Sequence, residues 1–440
     1  MNFLQIILIV YFALAFIVLL TYIPKIKCWI YGFKKQKKLF NPTKNKIALL
    51  IPAKNESECI GWLLDSINEQ SYPKEHFDVF IVVDNENDPT IDIAKQKLKD
   101  FEYVVEPNQK CKADALDSLI KHILATKGNV YDAYIVVDAD TYLDKQFVEE
   151  MNNALVTNSD VVICKKRVKN WQLKNKKYRT LYANLSGLTF TALDTMGNKY
   201  KSDHGYALAI SGLGMMLSNR YIERFKGFPF KSLCEDVEVG INAMLNDFKQ
   251  LYYEYAIIYS EEPITHKEYN KRRYRWLKGY FENNQKYHKK LMQKTFKQGK
   301  VVKSNLKYLF ELVPVYCFIG LTAATCLTFI ISSIVLAVLH SPLTKQALLF
   351  SLLMLLLIYA VIALFNLINI IEEDEKKLTL LEKLKIVFLG PIITFEYVIV
   401  LLKTINKHYK VNWDHIERIK FDEENWNFKG NWNKRKKQWF

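Results

Sequence analysis

The chain has 440 residues, half of them apolar and a quarter charged, with a formal net charge of +16. This length allows more than one domain, and in a soluble protein the basic excess would indicate a nucleic-acid partner. Here the basic residues instead track apolar segments long enough to cross a bilayer, which disfavours nucleic acid. The seven cysteines form no C-x-x-C pair, so neither a disulfide framework nor a zinc site is predicted.

An apolar segment from Phe3 to Leu20 is just long enough to cross a bilayer. The lysines that follow it mark the cytoplasmic side. A cleaved signal peptide would carry its charges before the apolar segment and small residues after it, and neither feature is present. We therefore predict a retained transmembrane helix over 1–23 with its N-terminus outside, followed by a basic linker over 24–45.

Predicted strands and helices alternate in the first part of residues 46–262, and the pattern becomes mixed from about Asp160. Strands are predicted over Lys46–Ala53, Asp78–Asp84, Tyr103–Val105, Asp132–Asp138, Val161–Cys164, Leu208–Leu217 and Gln250–Tyr259. Helices are predicted over about 54–70, after 90, over about 112–125 and from 233. This alternation predicts an α/β domain whose sheet is mostly parallel and has helices on both faces.

The central predicted strand ends in two carboxylates, Asp138 and Asp140. Ligands of open α/β sheets bind where the carboxyl ends of strands emerge. Two carboxylates there suit a hard cation such as Mg²⁺ or Mn²⁺, which in turn holds a diphosphate. The alternative interpretation is that Asp138 starts a turn and Asp140 caps the next helix.

Acidic residues at two further positions are candidates for the same site. Asp84 also ends a predicted strand, which predicts that it lies beside Asp138 and Asp140. Its carboxylate would accept hydrogen bonds from the base or ribose of a nucleotide. The alternative interpretation is that Asp84 only forms a turn. Glu235 and Asp236 follow a glycine-containing strand, where one would act as a general base or both would cap a helix.

Residues 263–305 are rich in Lys, Arg, Tyr and Trp, a composition that suits a helix along the inner membrane surface. Within this segment, the guanidinium groups of Arg272 and Arg275 suit a diphosphate, and the indole of Trp276 suits a sugar ring. A purely basic membrane-surface segment would have the same composition.

The region 308–403 is predicted to be membrane-embedded, with spans at about 312–339 and 347–371. Residues 386–402 are interrupted by Gly390 and Pro391 and form either a third span or a re-entrant or interfacial helix. The basic tail over 404–440 favours the cytosol and therefore the non-spanning alternative. We predict a multi-pass protein of the cell membrane with its catalytic domain in the cytoplasm.

Taken together, the ordered motifs resemble the membrane-bound inverting glycosyltransferases of family two, which include the cellulose, hyaluronan and poly-N-acetylglucosamine synthases. The matching segments are Ile51–Glu56, Asp84, Asn108–Leu116, Asp138–Asp140, Ser211–Gly214, Glu235–Asp236 and Arg275–Trp276. The resemblance covers about residues 47–279. It implies a Rossmann-like domain of the glycosyltransferase A type with a mostly parallel sheet, flanked by transmembrane helices.

The resemblance also implies a role for each matching residue. Donor-binding positions are Pro52, Ala53, Asn55, Glu56, Asp84, Lys112, Asp138 and Arg275. Mg²⁺ or Mn²⁺ would be held by Asp140 and Asp138, and catalysis would rest on Asp236 as general base beside Glu235. Acceptor-binding positions are Gly212, Gly214, Arg272 and Trp276.

One residue departs from the family pattern. The last family motif is usually Q-x-x-R-W, and Arg272 stands at the glutamine position. This departure argues against processive polymer synthesis and leaves sugar transfer intact.

We therefore predict transfer of a sugar from a UDP-sugar, with inversion, to a lipid-linked or polysaccharide acceptor. Two alternatives stay open, namely a processive synthase that exports its glycan and a non-catalytic nucleotide-sensing membrane subunit. The predicted partners are the nucleotide-sugar donor, the acceptor and membrane lipids, with no nucleic acid. An accessory membrane subunit also stays open.

Overall fold

The computed structural model describes residues 26–297, 300–301, 327, 330–338, 340, 342, 344–373, 375, 377–405 and 418–422. The predicted anchor at 1–23, most of the predicted span at 312–339 and most of the tail at 404–440 lie outside the described residues.

The domain predicted over residues 46–262 is built on an eight-stranded mixed sheet. Its strands are β1 Ile47–Pro52, β2 Phe77–Val83, β3 Glu102–Val105, β4 Ala133–Val136, β5 Tyr142–Leu143, β6 Val161–Val168, β7 Met215–Ser218 and β8 Gln250–Ser260. The strand order is β3-β2-β1-β4-β7-β6-β8-β5. The first four of these are mutually parallel, β7 is antiparallel to both of its neighbours, and β8 is parallel to β6. The predicted mixed α/β architecture with a mostly parallel sheet is thus confirmed.

Helices cover both faces of this sheet. They are α1 Gly61–Asn68, α2 Pro89–Lys97, α3 Lys112–Lys127, α4 Phe147–Leu155, α5 Leu181–Leu193, α6 Lys199–Asp203, α7 Asn219–Phe225, α8 Glu235–Leu245 and α9 His266–Thr295. Successive side chains of a strand point to opposite faces. Leu49 of β1 accordingly packs with α1, α2 and α4, and Leu50 packs with α3 and α8. Two buried cores therefore hold the carboxyl ends of the central strands in place.

Asp84 does not lie directly beside the D-x-D turn, which corrects the prediction from the sequence. Strand β1 separates β2 from β4, so Asp84 and Asp138 follow strands that are not neighbours. Both residues remain at the same edge of the sheet, because β2, β1 and β4 run parallel.

Two predicted elements are shorter than expected. Of the predicted Leu208–Leu217 strand, only Met215–Leu217 lies in β7, because two of the amides upstream bind side chains instead. The amide of Leu208 donates to Gln250 Oε1 at 2.9 Å, and the amide of Gly212 donates to Asp236. Similarly, α1 begins at Gly61 and not near residue 54, since the preceding segment forms a turn.

The helices described in full beyond α9 include α10 Thr344–Glu372, α11 Leu380–Phe395 and α12 Tyr397–Ile405. Among the described residues, Leu355–Glu372 and Leu380–Thr404 are long and apolar enough to cross a membrane, judged by length and composition alone. Helix α10 matches the span predicted at 347–371, and the segment at 386–402 lies within the second stretch. The loop between α10 and α11 contacts the preceding domain through the Arg167–Glu375 ion pair of 3.3 Å, and the first turn of α11 contacts it through the Arg179–Glu382 ion pair of 2.9 Å.

Candidate active site

The D-x-D turn, Asp138–Asp140, follows β4 at the carboxyl edge of the sheet. Thr141 closes the turn, because its amide and its hydroxyl both donate to the Asp138 carbonyl, at 3.2 and 2.7 Å. The side chain of Asp138 is 36% exposed, whereas that of Asp140 is 10% exposed. The two carboxylates therefore face different surroundings, one near solvent and one within a buried charge cluster.

Lys112, at the start of α3, connects the D-x-D turn to the start of α8. Its ammonium donates to Asp138 Oδ1 and lies 4.0 Å from Glu235 Oε1. Burial lowers the pKa of Lys112, but the carboxylates of Asp138 and Glu235 outweigh burial and raise it above its usual value. The lysine therefore stays charged at neutral pH between the two acidic clusters.

The candidate base Asp236 lies in the first turn of α8, where two amides orient its carboxylate. Gly212 N–H donates to Oδ2 and Val237 N–H donates to Oδ1, both at 2.8 Å. A Cβ at Gly212 would lie 3.3 Å from the Cβ of Asp236, so glycine allows this close approach. Burial, followed by the adjacent Asp236 carboxylate, raises the pKa of Glu235 to about 7, against an opposing effect of Lys112.

A second cluster of charged residues surrounds Asp140. The guanidinium of Arg418 donates to Asp140 Oδ2 and to Glu56 Oε1, the latter at 3.1 Å. The fully buried ammonium of Lys169 donates to the Asp140 carbonyl at 2.8 Å and to Glu261 Oε2 at 2.9 Å. Burial raises the pKa of Asp140, but the positive charges of Arg418 and then Lys169 outweigh burial and hold it below its usual value.

The residues around Asp140 fit a metal cation. Asp140 and Glu56 already share one positive group, the Arg418 guanidinium, which shows that this position accommodates a cation between carboxylates. The described part of the chain contains no cluster of three or more His, Cys, Asp or Glu side chains that could hold a metal. Proteins commonly bind Mg²⁺ through one or two carboxylates together with substrate phosphates, and Asp140 and Glu56 are two carboxylates that share one cationic partner.

The turn after β1 carries the predicted donor-binding residues Pro52 to Glu56. Asn55 adopts a left-handed conformation with φ of 54°, and its amide donates to Asp88 Oδ2 at 2.8 Å. The amide of Glu56 donates to Thr90 Oγ1 at 3.0 Å. Since Asp88 also caps α2, the turn is fixed to the start of that helix.

The other predicted donor-binding residue of this region, Asp84, also binds the turn. Its carboxylate forms a 3.0 Å ion pair with Lys54. Asp84 and the turn after β1 thus form a continuous polar surface at the sheet edge.

The acceptor and diphosphate positions predicted on α9 lie on two sides of the site. Arg272 donates to Glu262 Oε2 at 2.7 Å and to the Glu261 carbonyl at 3.1 Å, and its guanidinium lies 5.8 Å from the ring centroid of Trp276. Arg275 donates to the Leu233 carbonyl at 3.1 Å, just before α8. Gly214, the other predicted acceptor position, adopts a φ of +65° and donates its amide to the Val136 carbonyl.

Lys169, Glu261, Glu262 and Arg418 were not predicted from the sequence as site residues. Glu261 and Glu262 directly follow β8, and a pair of carboxylates after a predicted strand is the same signal that marked Asp138 and Asp140. Lys169 lies in a basic stretch and Arg418 in a stretch of mixed charge, and neither stretch has a motif, so no local signal distinguishes these two residues from their neighbours.

The model of the family described as "Glycosyltransferase like family 2" matches residues 43–279, more than half of the 440-residue chain. The chain therefore belongs to this glycosyltransferase family, as its ordered motifs predicted.

Similar proteins agree with this assignment. The chain is 28% identical over 243 residues to a probable glycosyltransferase, YdaM of Bacillus subtilis, covering 53% of this chain and 55% of that one. It is 25% identical over 238 residues to a poly-beta-1,6-N-acetyl-D-glucosamine synthase of Staphylococcus epidermidis, covering 53% and 54%. The chain thus spans about half the length of the curated relatives it matches.

A solved structure shows the same fold. The mannosyltransferase PcManGT from Pyrobaculum calidifontis, in complex with GDP-Man and Mn²⁺, superposes with a TM-score of 0.58 at 15% identity, over 90% of this chain and 99% of that one. At this identity the likeness concerns the fold alone.

Proposed function

We propose that this chain transfers a sugar from a nucleotide sugar, specifically a UDP-sugar, with inversion to a lipid-linked or glycan acceptor. One observation carries the proposal, namely that the Lys112 ammonium lies between the D-x-D turn and the acidic start of α8. Direct displacement needs charge stabilisation at a leaving diphosphate and a base at the attacking hydroxyl, within one site. The arrangement supplies both, and family membership supports the reaction class.

In the proposed reaction, Asp236 accepts the proton of the acceptor hydroxyl. The hydroxyl oxygen forms its bond to the anomeric carbon as the bond from that carbon to the diphosphate breaks on the opposite face. A hydroxyl is a weak nucleophile at neutral pH, so a carboxylate held in a fixed orientation contributes directly to the rate. The amides of Gly212 and Val237 provide that fixed orientation.

The leaving diphosphate would lie near the D-x-D turn. Lys112 contributes a permanent positive charge there, and the charge of Arg272 also reaches Asp140. Mg²⁺ or Mn²⁺ held by Asp140, with Asp138 beside it, would supply further positive charge to the departing oxygens. We assign Asp84 and the turn from Pro52 to Glu56 to the nucleotide, because this turn is held rigid against α2.

We further propose that the catalytic domain, about residues 46–262, lies on the cytoplasmic side of a multi-pass membrane region. The ion pairs Arg179–Glu382 and Arg167–Glu375 support this orientation. They attach the loop after α10 and the first turn of α11 to the catalytic domain, so this loop and the domain share one side of these helices.

The test is UDP release by the detergent-purified protein, with a panel of UDP-sugars, Mn²⁺ or Mg²⁺, and native lipid extract. We expect release with a particular sugar, and loss of release in EDTA. Asp236→Asn should lower turnover by about 10²-fold or more while UDP binding stays within about twofold. Asp247→Asn, at a carboxylate that is 84% exposed, is the matched control and should behave as wild type. Equal loss of turnover and of UDP binding in Asp236→Asn would contradict the assignment of the base.

Single-sugar transfer is favoured over polymer synthesis by the position of Arg272. Its guanidinium is engaged by the buried Glu262, whose side chain is 0% exposed, so it is held toward the end of β8. The size of the product on a gel discriminates between the two, because a processive enzyme would yield long glycans from one acceptor.

A further inference from the structure

The described C-terminal residues 418–422, here called the tail segment, lie against the candidate donor site. Beyond the two carboxylates that Arg418 binds, the amide of Ile419 donates to Glu261 Oε1 at 2.8 Å. Lys420 forms a 2.8 Å ion pair with Glu58 on the surface. The tail segment thus contacts four acidic residues, namely Glu56, Glu58, Asp140 and Glu261.

Apolar contacts also hold the tail segment in place. Ile419 is 5% exposed and packs in a cluster with Trp62 and Tyr259. The ring of Phe421 lies 4.8 Å from that of Trp62, and its amide donates to the Glu58 carbonyl at 2.6 Å. A Cβ at Gly61 would lie 2.9 Å from the Phe421 ring, so the start of α1 has room for this ring only because residue 61 is glycine.

Charge balance explains why an arginine occupies this position. Four carboxylates meet around Asp140, and they face three cations. The carboxylates are Glu56, Asp140, Glu261 and Glu262, and the cations are Lys169, Arg272 and Arg418. Without Arg418 the carboxylates of Asp140 and Glu56 would both lose the ion pair that the structure gives them, at the position where a divalent cation would bind. A guanidinium and a divalent cation at the same carboxylate would repel each other strongly at contact distance.

We infer that Arg418 is a tethered cation that occupies the cation position at Asp140 and exchanges with the divalent ion when the donor site is loaded. The inference rests on the proposed function, since it assumes that Asp140 is the metal ligand. The tail segment lies across the donor site in the structure, and under this inference a divalent ion at Asp140 displaces it. Loading of the site and movement of the C-terminal segment are thereby coupled.

The first test is binding of Mn²⁺ alone to the full-length detergent-purified chain, followed by the electron paramagnetic resonance signal of free Mn²⁺. Arg418→Gln should bind Mn²⁺ at least about tenfold more tightly than wild type, because one competing charge has been removed. Lys420→Gln removes the same charge from the same segment at an exposed ion pair, and its affinity should stay within about twofold. Unchanged or weaker binding by Arg418→Gln would overturn the inference.

Two further variants separate exchange from a folding defect. Phe421→Ala loosens the tail segment without changing the charge of the site, and should also tighten Mn²⁺ binding. Adding Asp140→Asn to Arg418→Gln should abolish the gain, because the shared carboxylate is lost. A gain that survives Asp140→Asn would place the Mn²⁺ elsewhere and refute the exchange.

The second test follows the segment itself by limited trypsin digestion. Trypsin must take up the Arg418 side chain to cleave the bond to Ile419, so cleavage there reports release from Asp140. Saturating Mn²⁺ with UDP should accelerate this cleavage several-fold over the metal-free chain, as measured by mass spectrometry of the peptide ending at Arg418. Stronger protection would mean that Arg418 stays in place and contacts the donor, which contradicts the exchange. Neither test requires turnover, so failure of the inference is distinguishable from failure of the proposed transfer reaction.

Discussion

Glu235 provides a pH-dependent test of the electrostatics at the start of α8. Burial and the adjacent Asp236 raise its pKa from 4.5 to about 7. Each unit by which the folded and unfolded pKa values differ corresponds to 1.36 kcal/mol. The ionised carboxyl therefore costs about 3 kcal/mol of folding free energy once it is fully charged. Glu235→Gln retains the shape and removes this cost.

The sign follows from proton binding. Between about pH 4.5 and 7 the folded chain holds the Glu235 proton while the unfolded chain has released it, so stability falls as pH rises through this window. The fall is absent in Glu235→Gln. We expect wild type and variant to be equally stable near pH 4.5, and the variant to gain up to about 3 kcal/mol by pH 8. For a domain of this size the gain corresponds to a melting temperature higher by about 6–10 °C.

Thermal unfolding of both proteins in detergent between pH 4.5 and 8 measures the difference directly. Glu86→Gln, at an exposed turn residue, controls for the loss of a carboxyl. The difference in stability between this variant and wild type should not change with pH. A difference for Glu235→Gln that stays constant with pH, or that favours wild type as pH rises, would refute the assignment of a buried, destabilised carboxyl.

Two further predictions concern packing and the D-x-D turn. Gly214→Ala should destabilise the protein by about 1–3 kcal/mol more than Gly128→Ala, as measured by denaturant unfolding. Both glycines have positive φ, but a Cβ would lie 2.4 Å from Cys164 Sγ at Gly214 and would meet nothing within 4 Å at Gly128. Equal losses of stability in the two variants would contradict the prediction, because they would mean that the positive φ alone sets the cost. Lys169→Met and Lys166→Met each break a fully buried ion pair and should both cost about 3–5 kcal/mol of stability. Of these two variants, only Lys169→Met should also change the affinity for Mn²⁺, because of these two lysines only Lys169 donates to the backbone of the D-x-D turn. Equal Mn²⁺ affinities in both variants would contradict this positioning role.

Much of the fold could be predicted from the sequence, because its strands and helices follow from local patterns of apolar and polar residues. Apolar strands that end in polar residues predicted β1, β2 and β4, and the intervening helical segments predicted a mostly parallel sheet. The order of the acidic motifs predicted the family, and the family model confirms it. These features depend on residues close together in the chain.

Predictions from local patterns were wrong where backbone amides donate hydrogen bonds to side chains of distant segments. Residues 208–214 have the composition of a strand, yet the amides of Leu208 and Gly212 bind Gln250 and Asp236 in place of a neighbouring strand. Asp84 was expected beside the D-x-D turn, but strand order places β1 between them. Strand order depends on how the whole sheet assembles, and local periodicity does not encode it.

The sequence by itself determined the strand-ending carboxylates, the candidate base and the basic and aromatic run on α9. Only the tertiary structure decided which cations neutralise them. Lys169 meets Glu261 across 92 residues, and Arg418 meets Asp140 across 278 residues. A buried carboxylate must be paired, but any of the 62 lysines and arginines of this chain satisfies that requirement equally in the sequence. The partner is selected by which segments the fold brings to the carboxyl edge of the sheet.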